Sequence, residues 1–305
     1  MNQGARNHAT LIGLISILFW STMVGLIHSV SELLGPLGGI AMIYTFAAAL
    51  LIVIFGVPPI KTLPWRYLLI GGFLFVAYEM SFALAIGYAK NGAQAIEVNI
   101  VNYLWPCLTI LSSIIFNKQR STLLIIPGLT LSLFGVCWVM GGEKGLDLAV
   151  MVSNIQSNPV SYVLAFIGAF LWAGYCTVTS KFAEGKNGAT LFFILITIVL
   201  WVKFFMSGSA ALHLSMRAII YILMAGGAVG LGYACWNFGI LHGNVSMLAS
   251  ASYFTPVLSS LLASLLLNAP LSVSFWQGVL MVCLGSILCW RATKDHSVKN
   301  EIYAS

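Results

Sequence analysis

Glu79, within FVAYEMSF, is an acidic residue in the middle of an apolar segment. On a membrane-crossing helix, a carboxylate costs about 2.5–3.5 kcal/mol even on lenient insertion scales, so it should face the bundle interior or water. Helical spacing brings Phe75, Phe82 and Ile86 to the same side, with Tyr78 on the flank. Two roles stay open: a proton-coupling or ammonium-binding group, and a protonated acid that only hydrogen-bonds a neighbouring helix.

A tyrosine and a proline recur at the same spacing in the two halves of the chain. Tyr103 and Pro106 lie in VNYLWPCLTIL, and Tyr253 and Pro256 lie 150 positions later in ASYFTPVLSSL. A proline inside a helix removes one backbone hydrogen bond and kinks the helix. In a bilayer the freed carbonyl needs another partner or a wet cavity. We interpret Pro106 and Pro256 as hinges beside a cavity, the alternative being that the kinks only improve packing.

The composition indicates a membrane protein. Hydrophobic residues make up 60% of the 305-residue chain and charged residues only 7%, whereas a soluble domain carries about 25% charged residues. Each crossing helix needs about 20 apolar residues. Ten such segments are delimited, with approximate bounds 9–30, 36–56, 65–89, 93–116, 121–141, 159–181, 187–206, 216–241, 244–267 and 272–291. The predicted fold is therefore an all-α polytopic membrane protein with ten transmembrane helices.

The positive charges indicate an orientation. With the N-terminus in the cytoplasm, four of the 14 Lys and Arg residues lie outside: Lys90, Lys144, Lys203 and Arg217. The other ten lie inside: Arg6, Lys61, Arg66, Lys118, Arg120, Lys181, Lys186, Arg291, Lys294 and Lys299. Cytoplasmic loops retain positive charge, so we expect both termini inside. The net charge of +6 then needs no nucleic acid to explain it.

Motifs of soluble-type chemistry are missing from the sequence. All six cysteines fall in predicted spans, where free cysteine behaves as a small hydrophobe, and none has a CxxC or metal-ligand spacing. The five histidines form no HExxH, and the chain contains neither a P-loop nor a GxGxxG. We therefore expect no catalytic residue, no cofactor and no metal.

The internal repeat extends beyond the two prolines. Gly128 and Gly135 match Gly278 and Gly285 at the same offset of 150, and GGFLFVAY parallels GGAVGLGY at a nearby offset. Because each half holds five segments, the second copy enters the membrane from the opposite side. Such inverted repeats, with a cargo site between the halves, are typical of secondary transporters. The predicted repeats, within one membrane domain around a central cavity, are 1–145 and 146–305.

Four longer blocks resemble a known family. The blocks are LIGLISILFWSTMVGLIHSVSE, QAIEVNIVNYLWPCLTIL, FIGAFLWAGYCTVTSKFA and WNFGILHGNVSMLASASYFTPVLSSLLA. They resemble the aromatic amino-acid exporters of the drug/metabolite transporter (EamA-like) superfamily. The resemblance implies a cavity lined by the first, third, fourth, sixth, eighth and ninth helices. It also implies a bacterial inner membrane and export of phenylalanine, tyrosine and tryptophan by alternating access, with dications such as paraquat as further cargo.

The segments that the resemblance assigns to the cavity carry large aromatic residues suited to an aromatic cargo. Ring pairs contribute about 0.5–1.5 kcal/mol beyond burial, and a ring face attracts an ammonium group. Trp105 is the strongest candidate, because it lies mid-span beside Pro106. For each residue alone, an interfacial anchor or a packing role is the alternative. The candidate substrate-binding residues are Trp20, Tyr78, Glu79, Tyr103, Trp105, Trp172, Tyr175, Tyr233, Trp236 and Tyr253.

Other classes of function remain compatible with a polytopic chain. An intramembrane enzyme needs a nucleophile, a base or metal ligands that converge, yet the second half has no acidic residue within a predicted span. A receptor or scaffold would carry large soluble loops, which are absent. A broad metabolite exporter with another small-molecule cargo stays open. The expected partners are the small-molecule cargo and the lipid bilayer, and the expected state is a monomer.

Overall fold

Every regular element that the computed structural model describes is helical. The described residues are 3–118, 120–209, 211–243 and 245–302. Within these ranges, eight helical stretches are long and apolar enough to cross a membrane. Two shorter apolar helices, Ile125–Met140 and Thr255–Leu266, accompany them. The predicted all-helical membrane fold is therefore confirmed.

The described ranges contain thirteen α-helices in chain order. Each of the ten predicted apolar segments is helical, although the fourth and the ninth segments are each divided into two helices. A short π-helical stretch, Tyr67–Gly71, leads directly into the third helix. The helices are α1 Gln3–Leu34, α2 Pro36–Phe55, α3 Gly72–Gly87, α4 Gly92–Asn102, α5 Trp105–Asn117, α6 Ile125–Met140, α7 Leu148–Ser157, α8 Pro159–Phe182, α9 Ala189–Met206, α10 Met216–His242, α11 Val245–Ser252, α12 Thr255–Leu266 and α13 Val273–Ile302.

Helix α7 lies in the connection 141–159, which the sequence reasoning treats as a loop. The Asp147 side chain caps its start by accepting hydrogen bonds from the backbone N–H groups of Ala149 and Val150, at 3.0 and 3.2 Å. With 10 residues, α7 is too short to cross a bilayer. This short helix with polar flanks has no span-length apolar signal, so hydropathy alone does not reveal it.

The two Tyr-x-x-Pro motifs interrupt their helices at equivalent positions. Tyr103 and Leu104 separate α4 from α5, and Tyr253 and Phe254 separate α11 from α12, 150 positions later. The proline of each motif lies in the first turn of the following helix, where its missing N–H would have no helical partner anyway. The sequence predicts a kink in a continuous helix, and the structure has a two-residue break.

The repeated glycines bring α6 and α13 into backbone contact. A Cβ atom added to Gly135 would lie 2.7 Å from the carbonyl oxygen of Gly278, and one added to Gly128 would lie 3.0 Å from that of Gly285. Ser132, midway between the α6 glycines, donates a hydrogen bond to the Val282 carbonyl at 3.3 Å. The sequence leaves open whether these glycines face another subunit, and the structure pairs them within one chain.

Short connections make successive spanning helices alternate in direction, which defines two ends of the bundle. The first end is where α1 begins, and there the backbone N–H of Thr122 donates to the carbonyl of Ala292 at 2.8 Å. The second end is where α1 ends, and there the hydroxyl of Ser274 donates to the carbonyl of Glu143 at 2.6 Å. Both bonds join the two halves of the chain.

We expect Gly135→Ala to lower the thermal stability of the purified protein in detergent. The new methyl group would have to displace the α13 backbone at Gly278, and overpacking of this kind costs about 1–3 kcal/mol. The measurement is the apparent Tm from a thermal unfolding scan.

Gly227→Ala in α10 is the matched control, because a Cβ added there meets nothing within 4 Å. This change should keep or raise the Tm, since alanine is favoured over glycine in a helix by up to about 1 kcal/mol. Equal Tm values for the two variants would contradict the close packing of α6 against α13.

Candidate functional site

A cavity of about 190 Å³ lies in the middle of the bundle. Its walls come from α1, α3, α8, α10 and the two broken helices, the same six segments that the resemblance assigns to a cavity. At roughly 30 Å³ for each water, the space equals about six waters and suits one small molecule. The lining residues are Trp20, Met23, Tyr78, Glu79, Phe82, Asn99, Asn102, Tyr103, Trp105, Trp172, Cys176, Tyr233, Trp236, Ser252 and Thr255.

One aromatic cluster of the cavity wall is centred on Trp172 of α8. The Trp172 ring packs against Tyr78 of α3, with ring centroids 4.5 Å apart. It meets the ring of Trp105 edge to face, with centroids 6.2 Å apart and an interplanar angle of 82°. Phe75, fully buried behind the wall, contacts the same Trp172 ring at 6.4 Å. This cluster offers an aromatic surface shared by α3, α5 and α8.

A second aromatic cluster joins α1 to α10. The Trp20 ring packs against Trp236, with centroids 5.1 Å apart, and against Tyr233, with centroids 5.5 Å apart. Tyr233 also meets Trp172 edge to face at 6.5 Å, which connects the two clusters. The cavity wall is therefore a continuous aromatic surface contributed by both halves of the chain.

Helical periodicity explains why these side chains share the cavity. Residues three or four positions apart lie on the same face of a helix. Trp172 and Cys176 occupy such positions on α8, and Tyr233 and Trp236 do so on α10. The sequence therefore aligns the lining residues once each helix is oriented by its neighbours.

Glu79 is the carboxylate of the cavity and is held by two phenols. The residue is 1% exposed. The hydroxyl groups of Tyr44 on α2 and Tyr233 on α10 donate to its two carboxylate oxygens, each at 2.5 Å. A buried carboxylate needs such donors because its desolvation is costly. The bond to Tyr233 also connects the first half of the chain to the second half.

Contacts between the two halves of the chain lie on the second-end side of the cavity. The side-chain amide of Asn99 on α4 donates to the hydroxyl of Ser259 on α12 at 3.2 Å, and both residues are buried. Leu266, at the end of α12, fits against Gly25 of α1, where an added Cβ would lie 2.6 Å from its Cδ2 atom. These contacts form a seal, which we call the α4–α12 seal, between the two halves.

Lining residues toward the first end are more exposed than those toward the second end. Trp105, Cys176 and Trp236 are half-buried, whereas Phe82 and Asn99, which lie further toward the second end, are buried. The cavity is therefore more accessible from the first end.

The structure brings together most of the predicted site residues. Tyr175 lies behind the wall, where its ring contacts Trp172 at 5.1 Å and its hydroxyl lies 3.5 Å from that of Tyr67. Tyr253 lies in the α11–α12 break and packs against Trp290, with centroids 6.2 Å apart. The predicted residues that line the cavity are Trp20, Tyr78, Glu79, Tyr103, Trp105, Trp172, Tyr233 and Trp236.

Sequence reasoning does not assign several lining residues to the site. Asn99 and Asn102 are polar residues inside an apolar segment, just before a Tyr-x-x-Pro motif, and this pattern is a usable signal. Tyr44 lies beside Thr45 in an otherwise apolar helix, and nothing in its spacing connects it to Glu79. The lining residues outside the predicted set are Met23, Phe82, Asn99, Asn102, Cys176, Ser252 and Thr255.

Two other cavities, of about 450 and 630 Å³, lie at the second end between α2 and α9. Both include Leu37 and Tyr88, and apolar side chains dominate their linings. Neither is lined by any of the predicted site residues. The central cavity is therefore the candidate site because of its chemistry and in spite of its smaller volume.

Known proteins similar to this chain identify its family. Residues 160–291 match the EamA-like transporter family. The aromatic amino acid exporter YddG of Escherichia coli (strain K12) is 57% identical over 289 residues, which cover 95% of this chain and 99% of that protein. This chain belongs to the YddG family of EamA-like transporters. The resemblance seen in the four sequence blocks is confirmed.

Other similar proteins agree with membership of the YddG family. The aromatic amino acid exporter YddG of Salmonella typhimurium (strain 14028s / SGSC 2262) is 56% identical, over 94% of this chain and 98% of that protein. The protein of the same name from Ancylobacter novellus is 27% identical, over 85% and 88%. A solved crystal structure with a TM-score of 0.67 and 23% identity covers 93% of this chain and 98% of its own, and supports the fold.

Membership of the YddG family decides between the classes of function left open by the sequence. The YddG relatives are transporters and not enzymes. Together with the eight apolar helical stretches in the described residues, this makes the chain a multi-pass inner-membrane transporter.

Proposed function

We propose that this YddG-family protein exports aromatic amino acids, namely phenylalanine, tyrosine and tryptophan, through the central cavity by alternating access. The observation that carries the proposal is the continuous aromatic wall built by Trp172, Trp20 and Tyr233 from both halves of the chain. Stacked and edge-to-face rings favour an aromatic side chain over an aliphatic one of similar size. The names of the relatives support the same cargo.

A dication such as paraquat is a second candidate cargo, because ring faces and a carboxylate both attract cations.

The proposed architecture has ten crossing segments in two inverted repeats, 1–145 and 146–305. Two observations support it: the helix breaks of α4–α5 and α11–α12 lie 150 positions apart, and so do the paired glycines of α6 and α13. The glycine faces are covered within one chain, which favours a monomer. In this arrangement the broken helices are equivalent elements that face each other across the cavity.

Alternating access then consists of opening the α4–α12 seal while the first end closes. The bond between Asn99 and Ser259 joins the two halves at the seal, so it must break for the cargo to leave at the second end. The helix breaks before Pro106 and Pro256 separate α4 from α5 and α11 from α12. One helix of each pair can therefore move without bending the other. We propose these breaks as the hinges of the exporter.

Export by this route requires the first end to be cytoplasmic. Lys61, Arg66 and Lys181 lie at that end, in agreement with the charge bias of the sequence. The Arg6, Lys294 and Lys299 side chains, and Ser305, lie outside the described residues.

Reporter fusions test this orientation. An activity reporter that works only in the cytoplasm should be active after Ser305 and inactive within the 141–159 connection, because α13 runs toward the first end of the bundle and the 141–159 connection lies at the second end. A reporter that works only outside should give the reverse pattern. Activity of both sites in the same compartment would rule out the proposed five-plus-five arrangement.

Counterflow in reconstituted vesicles tests the function and the role of Trp105. Vesicles loaded with unlabelled phenylalanine should accumulate labelled phenylalanine, whereas leucine should exchange more slowly. In Trp105→Ala the affinity for phenylalanine should fall by about 1 kcal/mol, the contribution of one ring pair, with a smaller change for leucine.

Trp65→Ala is the control, because Trp65 is 65% exposed on the outside of the bundle. This variant should exchange both amino acids as the wild type does. No counterflow by the wild type would reject the proposed function, and equal losses for phenylalanine and leucine in Trp105→Ala would assign Trp105 a structural role.

The hinge proposal predicts that Pro106→Ala and Pro256→Ala slow counterflow more than they weaken cargo binding. An alanine supplies the N–H that proline lacks, which favours a continuous helix across the break. Pro159→Ala is the control, since Pro159 also lies in the first turn of its helix, α8, but follows no mid-membrane break. If both hinge variants exchange cargo at the wild-type rate, these prolines serve helix packing and are not hinges.

A further inference from the structure

We infer that Glu79 binds the ammonium group of the cargo, and that Tyr44 and Tyr233 position its carboxylate for this contact. The inference deepens the proposed function and rests on it, because that function supplies a cargo with an amino group. Glu79 would then be the residue that selects amines among small aromatic molecules.

The first argument is the charge balance of the cavity. Glu79 is 1% exposed, and none of the residues that line the cavity is a Lys, Arg or His. Among the described residues the only ion pair joins His28 to Glu32, away from the cavity. A buried carboxylate without a cation is costly. A cargo that brings a positive charge into this space therefore binds better than its uncharged or anionic analogue.

The second argument is the hydrogen-bonding capacity of the carboxylate. Its two oxygens offer about four lone-pair sites. Tyr44 and Tyr233 occupy one site on each oxygen. The remaining sites can accept from an ammonium group, which carries up to three donors. The structure thus leaves acceptor capacity on a carboxylate that lines the cavity.

The third argument is the position of the two phenols on different helices. Tyr44 comes from α2 and Tyr233 from α10, and they grip opposite oxygens of a side chain on α3. The position of the carboxylate is therefore set by hydrogen bonds from α2 and α10 as well as by the side-chain rotamer of Glu79 on α3. Tyr233 also touches the Trp20 and Trp172 rings, so an ammonium group at Glu79 places the rest of the cargo against the aromatic wall.

The matched control is Glu97, a second largely buried carboxylate on a helix of the first half. Glu97 does not line the cavity, and its Oε1 atom accepts a hydrogen bond from the Asn154 side chain at 3.3 Å. Glu97→Gln makes the same chemical change as Glu79→Gln at a site outside the proposed binding machinery.

The test compares binding of three ligands to the purified protein by isothermal titration calorimetry. Phenylalanine carries both charged groups, phenethylamine carries only the amine, and 3-phenylpropionate carries only the carboxylate. We expect Glu79→Gln to weaken phenylalanine and phenethylamine by about tenfold to a hundredfold, the range for a hydrogen bond to a charged group. Binding of 3-phenylpropionate should stay within about twofold, and Glu97→Gln should bind all three ligands as the wild type does.

Tyr44→Phe and Tyr233→Phe test the positioning role and do not remove the charge. Each variant loses one donor, so we expect a loss of roughly tenfold or less for the amine ligands and none for 3-phenylpropionate. These variants, together with Glu79→Asp, also carry the test if Glu79→Gln does not fold. The shorter side chain of Glu79→Asp should reduce the preference for amines by withdrawing the charge from the cavity.

The outcomes separate this inference from the proposed function. A wild-type protein that binds none of the three ligands would overturn the proposed function. A wild type that binds them, with a Glu79→Gln variant that keeps its preference for amines, would overturn the inference alone. Equal weakening of all three ligands in Glu79→Gln would assign Glu79 a structural role, which also overturns the inference.

Discussion

Backbone groups in the core of a bilayer have no water to bond, so a helix can be interrupted only where protein or a wet cavity receives the freed groups. Both interruptions in the described spans, at Tyr103–Leu104 and Tyr253–Phe254, flank the central cavity. The cavity therefore makes the broken helices possible, and the broken helices supply part of its wall. The aromatic clusters and the Glu79 triad with Tyr44 and Tyr233 fill the remaining faces of this space.

The all-helical membrane fold could be predicted from the sequence, because long apolar runs such as the eight span-length helical stretches of the described residues are accommodated only by a bilayer. The cost of a carboxylate in the bilayer also predicted an inward-facing Glu79. Partners distant in the chain could not be predicted: Tyr44 and Glu79 are 35 positions apart, and Asn99 and Ser259 are 160 apart. Such pairs depend on how helices rotate against one another, which a single sequence does not encode locally.

Residue type also fails to determine orientation within an aromatic-rich helix. Tyr175 follows Trp172 by three positions, yet its hydroxyl lies near Tyr67 behind the cavity wall. The space beside Trp172 is shared by Tyr78 and Trp105, and the Tyr175 ring packs instead against Phe75 of α3, with centroids 5.2 Å apart. The packing of neighbouring rings, and not the polarity of one side chain, distinguishes the ring that lines the cavity from the ring behind it.

The contact between Ser132 and Val282 has a further meaning, because these residues occupy equivalent positions of the proposed repeat, 150 apart. Equivalent positions touch each other only where a two-fold axis passes between them. The α6–α13 contact is thus isologous, like the interface of a symmetric dimer. A five-helix ancestor with the same glycine face would have paired with its own copy in this geometry. Fusion through the 141–159 connection would then have turned two identical subunits into one chain whose two halves are free to differ.

 In the alignment of GGFLFVAY with GGAVGLGY, the residue after the shared tyrosine is Glu79 in the first half and Ala234 in the second half. Only one of these two equivalent positions of the proposed repeat therefore carries a charge.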